Sequence, residues 1–174
     1  MQKQLSLFFA AAAALTAVTF AWAAPPEATK FIAHLSGGNE IPPRDTNAQG
    51  QVKFELSKDG TSLDYRLNVA NIENVVAAHI HLGGPDVNGP VVVFLYGPEA
   101  PGGGKINGVI ATGTITEDDL IGPLAGATLE DLLAEMRAGN TYVNVHTNDG
   151  VAPPNTGPGD FPGGEIRGQL DGKP

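Results

Sequence analysis

The sequence predicts an all-β fold, an eight-stranded antiparallel β-sandwich. The 174-residue chain contains 23 glycines and 14 prolines, which divide it into short apolar segments separated by turns. Several of these segments alternate apolar and polar residues, which is the two-residue period of a half-buried strand. Asp59-Gly60 adds a hairpin signal between two such segments, because this dipeptide readily takes the positive φ of tight hairpin turns.

The core faces of the predicted strands follow from this alternation. In the second strand Val52, Phe54 and Leu56 share one face, and the third strand alternates in the same way. These rows are the predicted core. The eight predicted strands are residues 31–36, 51–57, 62–69, 77–82, 91–96, 108–116, 141–147 and 164–170.

One segment breaks the strand rhythm. Residues 128–138 carry apolar residues at helical spacing, Thr128 can cap the start, and Gly139 follows the end. We therefore expect one amphipathic helix before the seventh strand and a shorter helical turn near 117–120. The proline- and glycine-rich segments 97–104 and 150–164 are predicted surface loops, and the second could wall a site on the preceding strand.

The N-terminal residues predict export. Lys3 is the only charged residue before Glu27, and the apolar run 5–22 leads into Ala21-Trp22-Ala23, a small-x-small cleavage pattern. We expect residues 1–23 to be a signal peptide and residues 24–174 to form a single periplasmic or secreted domain. After signal cleavage no membrane span is expected. An uncleaved signal anchor is the alternative.

Composition excludes several classes of function. The formal net charge is −9, and loss of Lys3 with the signal would make it more negative, which argues against nucleic-acid partners. The chain has no cysteine, so disulfides, thiolate ligands and thiol catalysis are excluded. No Gly-x-Ser-x-Gly elbow and no phosphate-binding loop is present. A metal would have to be held by histidine, carboxylate or backbone oxygen.

Three histidines lie on the polar face of their predicted strands. His79 and His81 alternate with Ile80, and His146 alternates with Val145. Residues two apart on a strand are roughly 6–7 Å apart, so both imidazoles can reach one ion if a third arrives from a neighbouring strand. The pattern predicts a metal site on an outer surface of the sheet. The alternative is that the imidazoles cap loops or bond backbone carbonyls.

The ligand types favour copper. Neutral imidazoles without thiolate suit Cu(II) or Zn(II), and the Irving–Williams order favours copper when both are available. His34 has the same parity in its strand and could join the cluster, or it could be an exposed edge residue. Asn144, Tyr142 and Glu165 are predicted to orient the ligand rings. Arg167 could attract a small anion beside the metal, or it could pair with Glu165.

Four motifs follow one another along the chain. They are 35–43 (Leu-Ser-Gly-Gly-Asn-Glu-Ile-Pro-Pro), 79–81 (His-Ile-His) with 88–93 (Asn-Gly-Pro-Val-Val-Val), 142–147 (Tyr-Val-Asn-Val-His-Thr) and 164–170 (Gly-Glu-Ile-Arg-Gly-Gln-Leu). In this order they resemble the CHRD domain, a module first described in the animal protein chordin and widespread in bacterial exported proteins. The resemblance covers nearly the whole chain after the predicted signal. Within the first motif, residues 39–43 are predicted to form a rigid turn without a chemical role.

A fainter likeness is to Cu/Zn superoxide dismutase, an eight-stranded Greek-key sandwich that presents a His-x-His strand and a later histidine to copper. It implies Greek-key strand order, copper at the three histidines, and an anion-attracting role for Arg167. Between His81 and His146 there is no further histidine, and no cysteine is available for that enzyme's disulfide. The likeness therefore implies at most a zinc-free copper site with superoxide dismutase-like activity.

Two functions are expected from these features. The first is an exported metal-binding domain with copper carriage or a redox role. The second is a non-enzymatic extracytoplasmic protein-interaction module with structural histidines, since chordin acts through protein partners. In that case loops such as 97–104 carry recognition. A structural zinc site that stabilises the sandwich is a third alternative.

Overall fold

The computed structural model describes residues 27–173, and within this range it confirms the all-β fold with one short helix before the seventh strand. The strands form one antiparallel sheet that curves until its two end strands contact each other. The predicted signal peptide lies outside the described residues. Among residues 27–173, no helix is long and apolar enough to cross a membrane.

All eight predicted strands are present, and the Asp59-Gly60 hairpin joins the second to the third, with Gly60 at a φ of +75°. Short 3-10 helices span Gly37–Asn39, Glu117–Asp119 and Gly122–Leu124, the second of them at the predicted helical turn. The strands and the helix are β1 (Lys30–Ser36), β2 (Gln49–Leu56), β3 (Leu63–Glu73), β4 (Val75–Leu82), β5 (Val91–Tyr96), β6 (Lys105–Ile115), α1 (Leu129–Arg137), β7 (Thr141–Thr147), β8 (Ile166–Gln169) and β9 (Asp171–Lys173).

The strand order makes distant segments neighbours. Along the sheet the order is β5-β4-β7-β8-β1-β2-β3-β6, and β9 pairs with the start of β1. Strands β4, β5 and β6 follow one another in space, and β7 returns to lie beside β4, which is the Greek-key arrangement. As a result, β4 and β7 are paired although the chain between them includes two strands and α1.

The core lies on the concave side of the sheet. One face of β4 and β7 supplies four side chains that have no solvent exposure, and these are Ala78, Ile80, Val143 and Val145. This apolar face is the one that sequence alternation predicts. The residues between them in the sequence therefore project from the opposite face of the same two strands.

Strand β9 is not predicted by the sequence. Its residues pair with Lys30, Phe31 and Ile32 at the start of β1. A three-residue Asp-Gly-Lys segment has no apolar alternation, so its strand conformation comes from the β1 edge that it covers. Strand β3 also runs past its predicted end, through irregular pairing with β6.

Helix α1 matches its predicted position. The Thr128 hydroxyl accepts the Asp131 N–H, and the Asp131 carboxylate accepts the Thr128 N–H at 2.8 Å, which together form a capping box. Leu132, Leu133 and Met136 are buried against the sheet. The helix is thus held by one apolar face and by a defined N-terminal cap.

The cap gives a stability prediction. Thr128→Ala leaves helical N–H groups without their side-chain acceptor and is expected to lower the free energy of unfolding by about 1 kcal/mol. Urea unfolding followed by circular dichroism measures the loss. Thr128→Ser is the matched control, since it keeps the hydroxyl. An alanine variant with an unchanged unfolding midpoint would show that the cap contributes nothing.

Candidate metal centre

The register between β4 and β7 brings the histidines together. His79 pairs with Asn144, and His81 pairs with Tyr142. His146 lies two residues beyond Asn144 on β7, on the diagonal from His79. All five residues share the face opposite the core, as the alternation predicts.

The three imidazoles converge. One ring nitrogen from each of His79, His81 and His146 lies within 4.8 Å of the other two. His79 Nδ1 is 3.1 Å from His146 Nε2. Two histidine nitrogens that each lie about 2.0–2.1 Å from one ion are themselves about 3 Å apart, so this pair has the spacing of two ligands. The donor set fits a single small ion.

Backbone carbonyls define which nitrogen each ring offers. His81 Nδ1 is 2.9 Å from the Gly89 carbonyl oxygen, and His146 Nδ1 is 2.9 Å from the Pro162 carbonyl oxygen. Because a carbonyl only accepts, each Nδ1 carries the hydrogen and each Nε2 has a free lone pair in the neutral ring. His81 Nε2 is buried and has no hydrogen-bond partner in the described part of the chain. Its lone pair is therefore available to a metal ion.

The cluster is covered, whereas the sequence predicts a surface site. His79 and His81 are only 9% and 7% exposed, and His146 is half-buried. The cover comes from the loops after β4 and after β7, which also supply the Gly89 and Pro162 carbonyls. Strand alternation identifies the outer face, but it carries no information about loops that fold over it.

Burial also keeps the rings neutral. It lowers the pKa of His79 from 6.5 to about 3, with smaller contributions from the neighbouring His146 and His81. Burial likewise lowers the pKa of His81 and of His146. All three imidazoles are therefore in the metal-coordinating form at neutral pH.

Tyr142 lies in a stack between His81 and Arg167. Its ring centroid is 4.8 Å from that of His81, with 10° between the planes, and Arg167 Cζ is 3.4 Å from the Tyr142 centroid. The Tyr142 hydroxyl accepts the Gly89 N–H at 3.1 Å. Tyr142, which the sequence predicts to orient a ligand ring, thus fixes the plane of the His81 ring. It also holds the Gly89 peptide, whose carbonyl accepts from that ring.

Arg167 holds the loop that orients His81. Its guanidinium donates to the carbonyls of Gly84 and Val87, each at 2.9 Å, and to Asn88 Oδ1 at 3.1 Å. The side chain is 1% exposed. Its hydrogen-bonding groups are directed at this loop, and through the loop they act on the ring.

The other two candidate residues do not join the cluster. Glu165 is fully buried and accepts the hydroxyls of Thr46 and Thr147 and the N–H of Gly159, which ties the loop after β7 to the sheet. It makes no hydrogen bond to Arg167 in the described structure. His34 is exposed on β1, and β8 lies between β1 and β7.

Glu40 is a buried carboxyl that sequence reasoning assigns to a rigid turn. It is 4% exposed, and its Oε1 has no hydrogen-bond partner among the described residues. Burial raises its pKa to about 7, while Arg167, Arg44 and the Asn144 amide lower it by less. The sequence signal for this residue is its place in the 35–43 motif, which contacts β8, the strand that carries Arg167.

The arrangement can bind an ion through three neutral nitrogens. Phe94 on β5 borders the centre, with its ring edge-on to His79 at a centroid distance of 4.6 Å and 49% of the residue exposed. Three nitrogen ligands leave at least one coordination position for water, a small oxygen species or a further side chain. Both Cu(II) and Zn(II) accept such a set.

Glu40 gives a pH prediction. The pKa of Glu40 is about 7 in the folded protein and about 4.5 in the unfolded chain, so the unfolded chain ionises first and stability falls as pH rises from about 4.5 through 7. Glu40→Gln removes this penalty and is expected to raise the free energy of unfolding at pH 8 by up to about 3 kcal/mol, with little effect at pH 4.5. Urea unfolding at both pH values measures the difference.

The exposed Glu99 supplies the control. Glu99→Gln removes a carboxylate from the surface and is expected to leave the pH dependence of stability unchanged. If Glu40→Gln follows the wild-type profile instead, the buried carboxyl is not the origin of the pH dependence.

Comparison with known proteins identifies the family. Residues 31–170 match the family model described as the CHRD domain, which confirms the resemblance seen in the motifs. A comparison with curated proteins gave no match. CHRD domains are generally extracellular modules, and the matched range includes every strand that carries a clustered histidine. The chain therefore belongs to the CHRD domain family.

Proposed function

We propose that this domain binds one copper ion through His79, His81 and His146 in an extracytoplasmic compartment. The observation that supports the proposal is the convergence of one ring nitrogen from each of the three histidines within 4.8 Å, with His79 and His81 buried and His146 half-buried. One of them, His81 Nε2, has no hydrogen-bond partner among the described residues. A buried polar atom left unpaired costs about 1–3 kcal/mol, and a bound cation removes that cost.

Copper is preferred over zinc on chemical grounds. Both ions accept neutral imidazoles, but at equal availability the Irving–Williams order gives copper the higher affinity. Chain export, which the signal-like residues 1–23 predict, would place the site where copper is more accessible than in the cytosol. Zinc held by the same three histidines would make the site structural only if a further ligand closed the fourth coordination position.

The supporting residues fit a carrier or a redox site. Carbonyls fix two of the ring tautomers, and the Arg167–Tyr142–His81 stack fixes one ring plane. Rings held in this way need little reorganisation when an ion binds. The function we propose is copper carriage, with redox chemistry as an extension that needs an open coordination position. Superoxide dismutase-like turnover is the specific form of that extension.

The metal content of the purified protein tests the proposal. Protein isolated from the periplasm without added metal is expected to hold close to one equivalent of copper by elemental analysis. A His79→Ala, His81→Ala double variant is expected to lose it, because two of three ligands are gone. His34→Ala is the matched control and should retain the copper, since His34 lies on β1 outside the cluster.

Two outcomes contradict the copper site. Metal-free wild-type protein that does not take up copper on titration would favour the protein-interaction module with structural histidines. Equal copper content in the double variant would place the ion elsewhere.

Metal binding is also expected to raise stability. A ligand that binds only the folded state at 100 times its Kd stabilises by about 2.7 kcal/mol, so Cu(II) should raise the Tm of the wild-type protein. His146→Ala should show little or no increase under the same conditions. Differential scanning calorimetry of both proteins, with and without a chelator, measures the shift. An equal Tm increase in both would mean that the ion binds without this ligand.

Redox turnover is a separate expectation. If the extension holds, copper-loaded protein should dismutate superoxide faster than the same concentration of free copper. A rate no higher than that of free copper would remove the enzymatic form and leave copper carriage.

A further inference from the structure

A fourth side chain points into the histidine cluster. Asn144 is 3% exposed and lies on β7, directly opposite His79. Its Oδ1 is 2.9 Å from His146 Nε2. That distance is close to the 3.1 Å between His79 Nδ1 and the same nitrogen. The amide oxygen therefore lies about as far from His146 Nε2 as a ring nitrogen of the cluster does.

The short contact joins two acceptors. His146 Nδ1 faces the Pro162 carbonyl and carries the hydrogen, so Nε2 of the neutral ring has none. An amide oxygen has none either. Two lone pairs at hydrogen-bond distance repel each other unless a positive charge lies between or beside them. A shared cation resolves this contact, as it resolves the unpaired His81 Nε2.

Glu40 explains why the oxygen faces the cluster. The amide nitrogen, Asn144 Nδ2, lies on the side of Glu40, and the amide is among the groups that favour the ionised carboxyl. A carboxylate attracts the N–H end of an amide and repels its oxygen. A flipped Asn144 would point its oxygen at Glu40 and its NH₂ group at the imidazoles. In its ionised form Glu40 therefore favours the amide orientation in which Asn144 Oδ1 faces the histidines.

Gly164 makes room for this pair. A Cβ at this position would lie 2.5 Å from Glu40 Oε1 and 2.8 Å from Asn144 Nδ2, closer than packing allows. Its φ of +119° is also one that other residues rarely adopt. The glycine in the 164–170 motif thus lets the carboxyl and the amide approach the same point.

On the basis of the proposed metal site, we infer that Asn144 Oδ1 is a fourth ligand of the ion and that Glu40 is the positioning residue that directs it there. The resulting set has three imidazole nitrogens and one amide oxygen. Oxygen is a harder donor than nitrogen or sulfur, so this ligand favours a divalent ion over Cu(I). The site therefore stabilises the oxidised form of copper.

The test compares Cu(II) and Cu(I) binding to the purified full-length protein and its variants. Asn144→Leu keeps approximate size and removes the oxygen. It is expected to weaken Cu(II) affinity about tenfold or more, to leave Cu(I) affinity within about twofold, and to change the Cu(II) electron paramagnetic resonance spectrum. The Cu(II)/Cu(I) reduction potential should become more positive. A purely structural Asn144 would alter affinity for both oxidation states alike.

Glu40 variants provide a second, independent test of the inference, which remains available if Asn144→Leu does not fold. Glu40→Leu removes the attraction for the amide nitrogen and should weaken Cu(II) binding in the same direction. Glu40→Gln can still offer an oxygen to the amide and should retain the wild-type spectrum.

Failure of this inference differs from failure of the proposed function. Wild-type Cu(II) affinity and spectrum in Asn144→Leu would overturn the fourth ligand, and the same result in Glu40→Leu would overturn the positioning role of Glu40, while the histidine site stands in both cases. A wild-type protein that binds no copper, or binds it without the histidines, would overturn both.

Discussion

The pairing of β4 with β7 is the constraint on which the site depends. Two antiparallel strands that share a core face must also share an outer face, and their hydrogen-bonded register determines which outer side chains meet. Here Ile80 and Val143 pair in the core while His79 lies opposite Asn144. The apolar face thus holds the imidazole-bearing strands in place, and a shift of one residue in the register would turn the three histidines inward.

The loops after β4 and after β7 cover that row of polar side chains and enclose the centre. The loop after β4 is held by Arg167 and supplies the Gly89 carbonyl to His81. The loop after β7 is anchored by Glu165 and supplies the Pro162 carbonyl to His146. Arg167 and Glu165 therefore act on His81 and His146 through the backbone of these two loops. The rings of His81 and His146 are therefore held in place by backbone carbonyls, although no charged side chain in the part of the fold that the structure describes contacts them directly through a hydrogen bond.

The strands, the helix and the three clustered histidines could be predicted from the sequence because all of them follow from local periodicity. Sequence reasoning could not decide on His34, whose parity is correct, because only the strand order shows that β8 separates β1 from β7. It missed the burial of the site and the part played by Glu40, since both depend on segments that are distant in sequence and meet only in the fold. Strand β9 was missed because its conformation comes from its neighbour. The predicted signal peptide lies outside residues 27–173 and stays a prediction.

The family and the geometry lead to one account: a CHRD domain whose sheet presents three neutral histidine side chains beneath two loops. Its central claim is that a copper ion lies between His79, His81 and His146. A crystal of the protein grown with one equivalent of copper, measured on both sides of the copper absorption edge, tests this most directly. The account predicts a single anomalous peak about 2.0–2.1 Å from His81 Nε2 and His146 Nε2. A peak elsewhere on the protein, or a cluster that stays free of copper at that stoichiometry, would contradict it.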